Sequence, residues 1–230
     1  MTGIIVELAL SWLIVWLFEK GDLRVLGVFP TRERLLDFVV FFRITALCCA
    51  SGFFMKMYFA GEQWRLNPDF SIDLLAAGLW WNIKSALFEE LIFRGALLYV
   101  LIRKLGSSKA IVLSAISFGV YHWFSHEVVG NIPQMAATFV LTGTMGLLYA
   151  YGFAKSFSLF IPGAIHLGWN VTQGVVFSDS IIGDQLFVQL KPLPLVTVSY
   201  PVYFSILFLP MLSALLINSM LLRRRSRGVS

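Results

Sequence analysis

Charge is scarce in this sequence: of 230 residues only 13% are Asp, Glu, Lys or Arg, while 58% are hydrophobic and the mean hydropathy is +0.78. That excludes an ordinary soluble domain, in which about a quarter of the residues are charged. Cysteine is nearly absent. Cys48 and Cys49 are adjacent within an apolar stretch, cannot readily bridge to each other, and provide no disulfide framework. No repeat, low-complexity segment or linker interrupts the chain, which excludes solenoids and multi-domain arrangements. Histidine occurs only three times, so a histidine inside an apolar stretch stands out.

What is present is a series of long apolar stretches, at about 4–18, 35–55, 74–102, 110–125, 134–154, 157–177 and 195–222, most near the ~20 residues that a bilayer crossing requires. They predict an all-α, polytopic transmembrane helical bundle of seven to eight spans, forming one integral membrane domain over 1–230. The first stretch carries Glu7 and has no Lys or Arg ahead of it, so it lacks the basic region of a cleaved signal peptide and is expected to stay as a helix.

With seven spans, the basic residues sort by side. Lys20, Arg24, Arg32, Arg34, Arg103, Lys104, Lys109, Lys155, Arg223, Arg224, Arg225 and Arg227 fall on one side, and Lys56, Arg65 and Lys191 on the other, 12 against 3. The positive-inside rule then places the C-terminus in the cytoplasm and the N-terminus outside. The net charge of +5 reflects this asymmetry and is not a nucleic-acid signal. Residues 56–73 and 178–194, the latter with Pro192 and Pro194, are expected as outer loops able to hold an interfacial helical turn.

Three Lys or Arg residues remain inside predicted spans. Arg43 and Lys84 lie within three turns of a span end, where snorkelling or a shifted boundary accounts for them. Arg94 belongs with Glu89 and Glu90. A charge at mid-helix costs about 2.5–3.5 kcal/mol on insertion scales, so such residues normally face protein or a water-filled cavity. Glu90 and Arg94 are four residues apart, on one face, and can pair; Glu89 is rotated by about 100° from Glu90. The pair neutralises itself and leaves Glu89 free for chemistry. The plain alternative is an ion-pair network that only fixes helix packing.

Other polar residues at membrane depth are of catalytic types. Phe118 and His122 share a face at i, i+4 in SFGVYHW, and His166 and Asn170 do so in HLGWN. A glutamate in a partly desolvated pocket beside a histidine can take a proton from water and direct it at a carbonyl. Glu89 and His122 suit that role, and His166 with Asn170 could supply donors to the oxygen of a tetrahedral intermediate. Other proteolytic chemistries fit less well. HEVVG has Gly130 where a zinc protease needs its second histidine, Asp179 and Asp184 lie in a predicted loop, and Ser117 has no nucleophile signature. Zinc stays open through His122 and His126, four residues apart, with Glu89 or His166 as a third ligand.

The three motifs, Glu89-Glu90-Leu91-Ile92-Phe93-Arg94, Phe118 to His122 and His166 to Asn170, resemble in order the EExxxR, FxxxH and HxxxN motifs of the CAAX-protease and bacteriocin-processing family. These glutamic (Abi-type) intramembrane proteases include the type II CAAX prenyl endopeptidases. The resemblance covers about 75–175 and implies a helical membrane bundle, typically of eight spans. It also implies Glu89 as general base assisted by His122, His166 and Asn170 as the oxyanion site, and Glu90 and Arg94 as supports of the architecture. No cofactor or metal is required on this reading. The implied partners are the lipid bilayer and a membrane-embedded or membrane-anchored peptide or protein, cleaved near the interface, with the chain expected in a prokaryotic cytoplasmic membrane. Two non-proteolytic readings compete: an immunity or partner-binding protein using the same polar pocket, and a proton-coupled carrier relaying through Glu89 and His166.

Overall fold

The computed structural model describes residues 2–191 and 197–225. Pro192, Pro194 and Arg227 lie outside the described residues. The chain is all-helical apart from one small ribbon: α1 (Thr2–Glu19), α2 (Arg32–Ala60), α3 (Ile72–Arg94), α4 (Ala96–Leu105), α5 (Ser107–Ser125), α6 (Ile132–Ser156), α7 (Phe160–Val171) and α8 (Tyr200–Arg225). A 3-10 turn, Leu23–Leu26, follows α1, and a π turn, Thr172–Val176, extends α7. Side-chain oxygens start several helices: Thr31, Ser71 and Asn131 accept from the backbone N–H of Arg34, Leu74 and Gln134 at 3.3, 3.1 and 3.2 Å, meeting donors that have no partner within the helix.

Two expectations are corrected. The stretch 74–102 is not one span, because it breaks at Gly95, whose backbone leaves helical geometry (φ −77°, ψ −140°). A Cβ there would run into the carbonyl oxygen of Leu91, so the bend requires glycine. Between the helices, the described residues of the loops 56–73 and 178–194, namely 61–71 and 178–191, hold no helical turn. Each contributes a strand, β1 (Trp64–Leu66) and β2 (Phe187–Gln189), paired antiparallel with Arg65 opposite Val188.

Among the described residues, four helices are long and apolar enough to cross a bilayer: α1, α2, α6 and α8. The expected count of seven to eight is not reproduced on that measure. α4 and α7 are short, at 10 and 12 residues, and α3 carries Asp73, Lys84, Glu89, Glu90 and Arg94. The chain is an integral membrane protein by its apolar helices, and large side chains such as Ile5, Trp12 and Leu17 of α1, Leu47 and Phe54 of α2, and Leu209 and Leu216 of α8 stand exposed on its outer surface. A surface that apolar suits lipid rather than water.

Contacts gather the loop segments at two ends of the bundle. At one end Leu159 N–H donates to Leu26 O (3.1 Å), Arg103 pairs with Glu19 (3.7 Å), and Leu222 of α8 packs with Phe41 and Ile161. These contacts join segments rich in Lys and Arg. At the other end the ribbon joins the two loops, Asn67 Nδ2 donates to Gln185 O (2.9 Å), and Lys56 meets Asp179 (3.7 Å).

The site depends on how closely α7 lies against α2. Gly168 faces the α2 backbone, and a Cβ there would sit 2.6 Å from Phe42 O. Gly168→Ala is therefore expected to push the helices apart, lowering stability by about 1–3 kcal/mol and shifting His166, half a turn away. Thermal unfolding in detergent measures the first effect and turnover per folded molecule the second.

Candidate active site

α3 brings three of its five ionisable residues, Glu89, Glu90 and Arg94, to the centre of the bundle. Glu90 and Arg94 are fully buried and pair across one turn, with Arg94 Nη1 3.5 Å from Glu90 Oε1. The guanidinium lies 4.1 Å from the centre of the Phe118 ring and 4.9 Å from that of Tyr149, and its Nη2 donates to Gly146 O (3.4 Å). Two aromatic faces and a carboxylate thus replace the water that this cation would otherwise need. Phe118, legible in the sequence only by its spacing to His122, is a platform for Arg94.

Glu90 has a second partner. His166 Nδ1 stands 2.7 Å from Glu90 Oε1. An ionised carboxylate can only accept, so this nitrogen carries the proton and the ring turns its Nε2 the other way. Tyr149 stacks on the same imidazole, with centroids 4.8 Å apart and planes within 15°. Assigning Glu90 to Arg94 alone was therefore incomplete, since one carboxylate compensates the cation and orients a histidine.

Glu89, on the adjoining face of α3, points at both histidines. Its Oε2 is 3.8 Å from His122 Nε2 and 3.8 Å from His166 Nε2. Its Oε1 accepts from the Ser85 hydroxyl at 3.5 Å. Oε2 itself is buried and has no hydrogen-bond partner among the described residues. A separation of 3.8 Å is too long for a direct hydrogen bond, and at that spacing a water bonded to both groups is the natural go-between. His122 Nδ1 lies 2.8 Å from Phe118 O. A carbonyl accepts only, so Nδ1 is the protonated nitrogen and Nε2 faces Glu89 with its lone pair.

Glu89, Glu90, Arg94, Phe118, His122 and His166 are thus one connected group. Asn170 lies one turn beyond His166, half-buried, and its side chain makes no hydrogen bond to a described residue, so its amide group can meet a ligand. His126 is exposed, its ring 5.2 Å from that of His122. Among the described residues no three His, Cys, Asp or Glu side chains are placed to hold a metal ion. A single span over 74–102 would put Glu89 at its middle and His122 toward the end of its own span, at different depths. With the helix ending at Arg94, Glu89 lies near the C-terminal end of α3 and meets His122 near the end of α5.

Sequence reading missed two contributors. Ser85 was detectable, being a polar residue one turn before Glu89. Tyr149 was not, because α6 shows no polar pattern and its ring enters the site only through the packing of α6 on α5 and α7.

Residues 71–172, which contain all three motifs, match the family model described as type II CAAX prenyl endopeptidase Rce1-like. No curated protein and no solved structure matches the chain. The matched segment runs from the start of α3 to the end of α7, leaving α1, α2 and α8 outside it. The match indicates a membrane protease of the CAAX endopeptidase type acting on a peptide or protein substrate.

Proposed function

We propose that the chain is an intramembrane glutamic endopeptidase that hydrolyses a peptide bond in a membrane-anchored or membrane-embedded substrate, with Glu89 as general base. The observation that carries this reading is the single carboxylate oxygen held 3.8 Å from two imidazole Nε2 atoms. A water donating one hydrogen to Glu89 Oε2 and the other to His122 Nε2 would turn an oxygen lone pair outward, toward a substrate carbonyl. Glu89 takes the proton as the O–C bond forms, and returns it to the amide nitrogen as the C–N bond breaks. The products are a carboxylic acid, which then releases its proton, and an amine, and no covalent acyl-enzyme forms.

Negative charge on the tetrahedral oxygen needs donors. Asn170 Nδ2 is one. His166 can donate from Nε2 only as the imidazolium, because Nδ1–H is already committed to Glu90. Glu90 is then the counter-ion of that imidazolium as well as of Arg94. Removing either oxyanion donor, by His166→Ala or Asn170→Ala, is expected to lower kcat by about 10²–10³-fold with little change in KM. His122→Ala, which removes one partner of the water, is expected to cost about 10²–10⁴-fold. A steady-state assay of each variant checks these values.

The functional unit is one integral membrane domain over 1–230 with its catalytic core at about 75–175, in a prokaryotic cytoplasmic membrane with the C-terminus inside. The test is cleavage by the purified protein in liposomes of a library of membrane-anchored peptides, with and without a zinc chelator. Cleavage that persists in the chelator supports the glutamic mechanism, and cleavage abolished by it would replace that mechanism with a metal site built on His122. Binding without cleavage that survives Glu89→Gln would point instead to a partner-binding protein.

A further inference from the structure

A groove of about 340 Å³ lies between α1 and α3, lined by Gly3, Ile4, Trp81, Lys84, Ser85 and Phe88. It adjoins the catalytic group directly, because Ser85 in its lining is the residue whose hydroxyl donates to Glu89 Oε1. The α1 wall stands close, so that a Cβ on Gly3 would touch the Phe88 ring at 3.0 Å. Lys84 is half-buried, its ammonium 5.8 Å from the centre of the Trp80 ring, and it pairs with no carboxylate among the described residues. The cation nearest the catalytic group, Arg94, is already matched to Glu90. Lys84 is therefore a charge without a carboxylate partner among the described residues, in the wall of a groove that also includes Ser85, the hydrogen-bond partner of Glu89.

We propose that this groove holds the substrate chain on one side of the scissile bond, and that Lys84 binds a carboxylate on that chain, from an acidic side chain or a free chain terminus. The proposal rests on Glu89 being the catalytic base. Lys84 precedes Glu89 by five residues on one helix, about 7.5 Å along its axis. An extended peptide advances about 3.3 Å per residue, which sets the carboxylate about two to four residues from the cleaved bond. Snorkelling would leave Lys84 indifferent to the substrate, whereas a subsite makes it a specificity determinant. Its wall on α1 lies outside the segment matched to the family.

The test uses the full chain in phosphatidylcholine vesicles and anchored peptides that differ in one group: glutamate against glutamine two to four residues from the cleaved bond, and free acid against amide at the terminus. The first pair reads a side-chain carboxylate and the second a terminal one. Wild type is expected to favour the acidic member of at least one pair by about tenfold in kcat/KM, chiefly through KM. Lys84→Gln should erase that preference while cutting neutral peptides at the wild-type rate. Lys84→Arg should retain it, and Lys84→Glu should turn it toward a lysine-bearing peptide. Equal cleavage of both pairs by wild type, or a preference surviving in Lys84→Gln, overturns the proposal. So does a Lys84 effect that appears only when phosphatidylglycerol is added, which would assign the cation to a lipid phosphate. Peptide binding, followed by fluorescence anisotropy with Glu89→Gln protein, needs no turnover. Lys84-dependent binding of acidic peptides without cleavage by wild type would keep the subsite and reject the protease reading, whereas binding blind to Lys84 would reject the subsite.

Discussion

Glu89→Gln is expected to abolish peptide cleavage, by at least about 10³-fold in kcat, in protein that keeps its fold. The amide keeps the shape of the carboxylate and can still accept from Ser85, but it cannot take a proton from water, and two of its hydrogen-bonding sites become donors. A donor facing His122 Nε2 would bond to the imidazole and displace the water from between them. Stability should change little, because the buried guanidinium of Arg94 has its ion-pair partner in Glu90, on another face of α3. Circular dichroism and thermal unfolding in detergent establish folding, and mass spectrometry of the peptide products reads activity. Retained cleavage in Glu89→Gln would remove Glu89 from the mechanism and transfer the role of base to a histidine.

Arg94→Met should have the opposite signature, with loss of the fold ahead of loss of chemistry. The guanidinium is wholly buried between Phe118 and Tyr149, and its removal leaves Glu90 without its strongest compensating charge in a desolvated core. Breaking one side of a buried pair costs about 3–5 kcal/mol. The double variant Glu90→Gln/Arg94→Met removes both charges and is expected to regain part of that stability. Turnover should not return with it, because His166 Nδ1 then faces an amide, which cannot serve as a counter-ion to the imidazolium. The two unfolding midpoints, beside turnover per folded molecule, separate these effects. If the double variant is both stable and active, Glu90 contributes only to packing.

The comparison of Glu89 with Glu90 marks how far the sequence could be read. Helical spacing alone paired Glu90 with Arg94 and left Glu89 free, because residues four apart share a face whatever else surrounds them. The same spacing joined Phe118 to His122 and His166 to Asn170. None of it could show that Glu90 also holds His166, 76 positions later in the chain, or that Phe118 faces Arg94, since those contacts cross between helices. Gly95 was passed over for a related reason. A glycine in an apolar run reads as a small helix residue until the turn it permits becomes visible, and the single span expected over 74–102 followed from that.

Composition and local periodicity determined that this is a helical membrane protein, and which ionisable side chains of α3, α5 and α7 lie within its apolar stretches. Those properties depend on transfer free energy and on positions within one helix, both of which the order of residues contains. Tertiary structure alone decided that the two outer loops meet as a β-ribbon, that Tyr149 and Ser85 join the site, and that Glu89 Oε2 stands at equal distance from two histidines. These are distances between separate helices, set by close approaches such as that of Gly168 to Phe42, and no local pattern records them.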